Sequence, residues 1–392
     1  MGGHHDHDMA TRQPMTRIAW VVLAPLALIT LVGLVLLWPT ASQGSGEPSS
    51  MEERNGVVLS VEREECPAPT ADGGPAATVC GTVTVALEGA ETGSQEVQAP
   101  IPDWAGAPEV VEGDEVIVGV AEGPDGAIYG ILDHQRGTQL LVLLAAFSLA
   151  LVAFGRWRGV MALVGLAVTF GVLLVFMVPA IIAGESPVLV TLVAASVITL
   201  VVLYLTHGVS LETTVAVMGT MAALALTGAL SELAVEALHL TGVTDDLSMA
   251  VVDRHGVDAR GLLVASIIIG SVGVLDDVTV TQSLTVTEIG RANPAYGFTE
   301  LYRAGSRVGR SHIASVVNTI VLAYAASSLP LIVLVVADNS SLSGIASTQL
   351  IAQEIVRSAV ATMGLVAAVP LTTGLAALAT HRAAADVGAH RA

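Results

Sequence analysis

The chain has 392 residues, 53% of them hydrophobic and 13% charged, with a mean hydropathy of +0.72. Several runs of about 18 or more residues are nearly free of charge, which excludes a soluble globule and a disordered chain and leaves a polytopic membrane protein. The net charge of −19 is concentrated in residues 47–136, which hold 18 of the 35 acids and three arginines, so nucleic acid is excluded as a partner of that segment.

All 16 basic residues are arginine, a bias read as genomic codon usage and given no functional weight. Residues 1–17 form a predicted cytoplasmic tail. Its His4-His5-Asp6-His7-Asp8 run has a composition that can bind metal, but it lacks the fixed geometry of a metal site and is read as plain tail. The first apolar run, Ile18–Trp38, is about twenty residues long where the core of a signal peptide takes roughly 7–15, so it is read as an anchor.

Residues 39–137 change texture and predict an extracytoplasmic β domain. Alternating or β-branched runs at Gly56–Val61, Thr78–Leu87, Glu96–Ala99, Asp114–Val120 and Ala127–Leu132 are separated by Gly, Pro and Asp clusters that mark turns. Five short strands suit a small barrel of the oligonucleotide/oligosaccharide-binding type or a sandwich. Trp104 and Tyr129 stand apart and offer no aromatic stacking platform. The only cysteines, Cys66 and Cys80, both fall here and are expected to form one structural disulfide on the oxidising side of the membrane, worth about 3 kcal/mol for its loop. Their spacing is not that of a redox-active CxxC pair.

Residues 138–378 predict a seven-helix membrane domain. Its spans are Thr138–Phe154, Val160–Ile182, Val188–Thr206, Thr213–Leu233, Leu262–Val286, His312–Val336 and Ile355–Leu378, making eight helices with the first. A second cytoplasmic tail follows at 379–392. Ten arginines in the flanks of these spans, Arg156, Arg158, Arg291, Arg303, Arg307 and Arg310 among them, fall on one side, against Arg136, Arg254, Arg260 and Arg357. Both termini are therefore expected in the cytoplasm.

Within Leu262–Val286, Asp276 and Asp277 sit side by side in apolar sequence. A charge at the bilayer centre costs about 2.5–3.5 kcal/mol on insertion scales, so an intramembrane carboxylate pair is read as a functional site. At helical spacing Ser266, Gly270, Gly273, Asp277, Thr281, Leu284 and Glu288 share one face, and Ile269, Val272, Asp276, Thr279 and Ser283 the next. The first face is rich in small residues and is expected to be a close-packed seam containing Asp277. Adjacent residues point about 100° apart, so the two carboxylates cannot address the same ligand atom. Thr279, Thr281 and Gln282 are expected to supply neutral ligands.

The following span aligns Ser311, Ser315, Asn318, Leu322 and Ala325, and Asn318 reaches a depth within one turn of the acidic pair. Its amide is expected to join the site, with helix-bridging as the plainer alternative. Pro330 and Pro370 free the carbonyls of Ala326 and Val366, either for the same cavity or merely as kinks.

The stretches Gly273-Val274-Leu275-Asp276-Asp277-Val278-Thr279-Val280-Thr281-Gln282, Val317-Asn318-Thr319-Ile320-Val321-Leu322-Ala323-Tyr324-Ala325 and Ser328-Leu329-Pro330-Leu331 resemble the YibE/F-like family of bacterial multi-pass membrane proteins. The resemblance extends to the Gly155-Arg156-Trp157-Arg158-Gly159 turn and to the small β domain before it. It implies a protein of the bacterial cell membrane, and for that family transport is the suggested function.

Three function classes follow. A secondary transporter or ion-coupled permease explains the buried acids, the interrupted helices and an outer domain that gates or collects solute, although no internal repeat supports the architecture. An intramembrane aspartyl protease needs carboxylates from two helices on one water, whereas both acids here share one helix and Glu232 and Glu288 lie near helix ends, so no enzyme activity and no catalytic residues are expected. A sensor or assembly protein would use the β domain to bind a ligand or partner. The expected partners are lipid and a small solute or ion, with a homo-oligomer left open. No P-loop is present, so a self-contained ATP-driven pump is not expected, nor any cofactor or resident metal.

Overall fold

The computed structural model describes residues 17–39, 51–66, 79–88, 95–123, 126–244, 246–337 and 348–389. The His4–Asp8 run lies outside the described residues. The chain divides into two compact units, Gly44–Arg156 and Met1–Gln43 with Trp157–Ala392.

Among its described residues the first unit holds five strands and one helix: β1 Met51–Glu64, β2 Cys80–Leu87, β3 Gln95–Pro100, β4 Glu115–Gly123, β5 Gly126–His134 and α2 Gly137–Gly155. All five predicted strands are present. The sheet is antiparallel in the order β3-β2-β1-β4-β5. The 14-residue β1 pairs through Gly56–Glu64 with β2 and through Met51–Val57 with β4, and a bulge between Val58 and Ser60 bends it between those two partners. Alternation places Val83, Val85 and Leu87 of β2, Val116 and Val118 of β4 and Ile131 of β5 in one core. The edges β3 and β5 touch one another. Cys66 and Cys80 are disulfide-bonded, with Cα atoms 5.1 Å apart. Gly81 adopts φ +136°, and a Cβ there would strike the backbone of Glu62 on β1, so this position beside the disulfide requires glycine.

The second unit is helical. Its elements are α1 Arg17–Leu36, α3 Trp157–Ile182, α4 Pro187–His207, α5 Leu211–Ala237, α6 Asp246–His255, α7 Ala259–Ala292, α8 Phe298–Ser327, α9 Leu329–Ala337 and α10 Gln349–Ala389. Among the described residues, six helices are long and apolar enough to cross a bilayer: α2, α3, α4, α5, α7 and α10 through Arg382.

Three elements differ from expectation. The predicted seventh span is not one helix, because α8 ends at Ser327 and α9 restarts at Leu329; Pro330 has no N–H for the Ala326 carbonyl, and the chain turns there. The loop between the fifth and sixth predicted spans contains the short helix α6. Pro370 leaves α10 continuous, and that helix runs past Leu378.

α3 carries a π turn at Val172–Met177, where the Val178 N–H bonds the Leu173 carbonyl. Pro179 explains its place, since no N–H exists there to satisfy the preceding turn and a wider turn absorbs the mismatch. Phe176 of this turn stacks on Trp38, just beyond α1, with ring centroids 5.9 Å apart.

α7 is the central helix, packed against α4, α5, α8 and α10. Its buried face carries Val264, Ile267, Ile268, Leu275, Val278 and Val286. Close approach between helices comes from glycines on its neighbours and from Gly290 near its own end, where a Cβ would strike Thr380 of α10. A Cβ at Gly219 of α5 would meet the Thr372 hydroxyl of α10, and one at Gly364 of α10 would meet the Thr227 hydroxyl of α5. Gly305 and Gly309 of α8 likewise admit Val286 and Val369. The buried hydroxyls of Thr227, Ser231 and Thr373 donate to carbonyls four residues earlier in their own helices, so no polar atom of these hydroxyls is stranded.

Candidate functional site

Asp276 and Asp277 occupy the middle of the 34-residue α7. Both line a cavity of about 420 Å³ between α3, α4 and α7, whose wall includes Thr169, Leu173, Ile198, Val202, His207 and Gly273. Asp276 is half-buried, and its Oδ1 accepts a hydrogen bond from the Thr199 hydroxyl of α4 at 3.3 Å. The Thr279 hydroxyl donates to the Asp276 carbonyl at 3.2 Å and bonds the Thr220 hydroxyl of α5 at 2.7 Å. Three fully buried threonines from three helices thus hold the α7 backbone and one carboxylate in place. Asp277, one residue on, is exposed.

The expected seam is not a packed one. Gly270, Gly273, Asp277, Thr281, Leu284 and Glu288 all lie on the exposed side of α7, and a Cβ at Gly273 would meet nothing within 4 Å. The small residues on this face leave room beside the carboxylates, while β-branched and larger residues on the opposite face make the contacts with α5 and α10.

The six sequence-predicted site residues separate into two groups. Asp276 and Asp277 share the cavity, while Thr279 is buried beside them with its hydroxyl on the Asp276 main-chain carbonyl and on Thr220, and does not line the cavity. Gln282 turns the other way: it is buried and its amide donates to the Gly305 carbonyl of α8 at 3.0 Å and the Thr373 hydroxyl of α10 at 2.7 Å, fastening three helices. Thr281 is exposed, and neither it nor Asn318 lines the cavity of the acidic pair. Asn318, with Ser311, Ser315 and Leu322, lies on an exposed face of α8. Sequence reasoning missed Thr199 and Thr220, because a threonine in a helix is as often an ordinary small packing residue and only the fold brings these two to α7.

A second cavity of about 570 Å³ adjoins the first and shares Thr206, His207 and Val280 with it. Its wall carries Arg158 at the start of α3, Ser210, Glu212 and Thr213 at the start of α5, and Glu288 and Arg291 near the end of α7. Ser210 caps α5, its hydroxyl accepting from the Thr213 N–H at 3.1 Å. Arg291 spans two acids, donating to Glu212 of α5 and to Glu288 at 2.5 Å each. Arg303, Arg307 and Arg310 form an exposed stripe on the first turns of α8 and line neither cavity. Among the described residues no group of His, Cys, Asp and Glu has the geometry to hold a metal ion.

The family model described as YibE/F-like protein matches residues 143–382, which takes in the acidic pair, both cavities and the Gly155–Gly159 turn and leaves the five strands outside. Neither the curated proteins nor the solved structures yield a match to the chain. With its apolar helices and a match over more than half of its length, the chain is a multi-helix membrane protein that belongs to the YibE/F-like family.

Proposed function

We propose that this protein is a secondary transporter or ion-coupled permease of a small solute or ion, with Asp276 and Asp277 binding the coupling proton or cation. The observation that carries the reading is the cavity that reaches both carboxylates at the middle of α7. A carboxylate at that depth is costly unless something compensates it, and the adjoining cavity, if filled by water, would do so together with the Thr199 hydroxyl. Thr199 is the neutral group hydrogen-bonded to the Asp276 carboxylate, and Thr279 holds the main chain beside it. Binding a proton or cation would neutralise the charge and let α7 shift against α3 and α4, where the small-residue face leaves space. The division of α8 from α9 supports the same reading, since interrupted helices recur in transporters.

The finer topology belongs to this proposal. α1 and the α8–α9 segment bring the six long helices to eight crossings of a bacterial cell membrane, with both termini in the cytoplasm and the β unit outside, where its disulfide is stable. The strand order, together with the contact between β3 and β5, supports a small barrel of the oligonucleotide/oligosaccharide-binding type. No enzymatic chemistry is proposed, and no catalytic residue is assigned.

The test uses membrane vesicles containing equal amounts of the wild-type chain or Asp277→Asn, offered a panel of labelled amino acids, organic acids and inorganic cations with and without a pH gradient. At least one solute should accumulate in a gradient-dependent way in the wild type, and Asp277→Asn should slow it roughly 100-fold. Uptake that is identical in the two would reject the coupling role. The remaining reading would then be a sensor or assembly protein whose β unit, which lies outside the family match, binds a ligand or partner.

A further inference from the structure

Arg303, Arg307 and Arg310 follow one another at spacings of four and three on α8, so all three side chains leave the helix on one side, over about 10 Å of its length. All three are exposed, and among the described residues none has an ion-pair or hydrogen-bond partner. Glu300, the acid closest to them in sequence, has its carboxylate against Gly297 at the start of the helix. The helices packed against this half of α8 meet it through neutral groups: Gly305 lies against Val286 and Thr373, and Gly309 against Val369 and Gln282.

Those contacts also fix the depth of the arginines. Arg307 lies between Gly305 and Gly309 and is therefore level with residues 282–286 of α7, where the apolar run Leu262–Val286 ends. Arg303 lies about 6 Å beyond that level and Arg310 about 4–5 Å inside it. The three thus straddle the edge of the hydrocarbon layer, beside a headgroup region roughly 5–8 Å deep. An unpaired guanidinium is costly at the hydrocarbon edge, and its long side chain lets it reach out to phosphates in that region. Past Arg310 the same face of α8 continues as Ala314, Asn318 and Val321, all exposed, with exposed Leu322 beside them. A free phosphate would use the arginines alone, whereas a lipid would use both the arginines and this longer face.

We propose that the Arg303–Arg307–Arg310 face of α8 binds an anionic phospholipid, with the phosphodiester held by the guanidinium groups and an acyl chain laid along Ala314 and Val321. A guanidinium grips phosphate through two parallel N–H···O bonds, which gives geometric selectivity as well as attraction. A zwitterionic lipid brings a further cation to a site that already holds three, so lipids of net negative charge are preferred. This lipid site does not depend on the coupling role of Asp276 and Asp277.

Native mass spectrometry of the full chain in a non-ionic detergent, titrated with phosphatidylglycerol or phosphatidylcholine, tests this. The wild type should bind phosphatidylglycerol roughly 100-fold more tightly than phosphatidylcholine, and Arg303→Gln, Arg307→Gln and Arg310→Gln combined should bring the two lipids within a few-fold of each other. Arg254→Gln with Arg260→Gln, which removes exposed charge before and at the start of α7, should keep the preference. Equal binding of the two lipids by the wild type overturns the site, as does a preference that survives in the triple variant or disappears equally in the Arg254/Arg260 variant. Glycerol 3-phosphate that displaces phosphatidylglycerol at millimolar concentration shows that the headgroup chemistry alone fills the site and overturns the acyl-chain half of the proposal. Should the triple variant fail to fold, Arg307→Gln alone should weaken phosphatidylglycerol roughly 5-fold, and unchanged affinity there equally overturns the site.

Discussion

At the scale of single residues, the structure separates two polar groups on α7 that the sequence presents as one set. Gln282 stands five and six residues from the acidic pair, yet it serves packing: two short hydrogen bonds tie α7 to α8 and α10. Replacing it with Leu removes those bonds from a buried position and should lower stability by about 1–3 kcal/mol, read as a lower unfolding temperature in detergent, with solute uptake per folded molecule unchanged. Outside the helical unit, the Arg136 guanidinium bonds Asp133 and holds its carboxyl below the ordinary value of 3.8, helped by the His134 N–H. A depressed carboxylate contributes stability above its unfolded-state value and loses it as pH falls through the lower folded-state value. Arg136→Ala should therefore raise the Asp133 titration midpoint back toward 3.8, as followed by carbon NMR of labelled aspartate. Both groups are solvent-exposed, so the change in stability itself should be small.

At the scale of elements, the five strands and most of the apolar helices are legible because burial and lipid both impose simple rules, alternation in the sheet and unbroken apolar length in the helices. The break after Ser327 was also written locally, in Pro330. Which face of α7 packs was not. Small residues signal a close approach only when a neighbour comes near, and apart from Gly290 the close-contact glycines around α7 belong to α5, α8 and α10. Two substitutions separate these uses. Gly364→Val drives a branched side chain into Thr227 and should destabilise by about 1–3 kcal/mol or more. Gly273→Ala meets open space on a helix and should be neutral or stabilising by up to about 1 kcal/mol. Thermal unfolding of the two variants side by side checks the contrast, and equal losses would mean that the open face of α7 is packed after all.

For the whole molecule, a disulfide-closed β unit with its own core accompanies a helical unit in which two cavities share the wall residues Thr206, His207 and Val280. The candidate site was half legible. Two adjacent aspartates in apolar sequence announce themselves by cost alone, whereas Thr199 and Thr220 acquire meaning only once α4 and α5 are folded against α7. The π turn of α3 bears on all of this. It inserts one residue into a helix that offers Thr169 and Leu173 to the carboxylate cavity and, just beyond, Phe176, Met177, Ala180 and Ile181 to a separate apolar core. An α-helix advances about 100° per residue, so one residue more or fewer turns one of these faces away from its target. The widened turn is thus the phase adjustment that lets a single rod serve two masters, and its wider, less regular hydrogen bonding makes it the natural place for α3 to twist if the cavity ever changes shape.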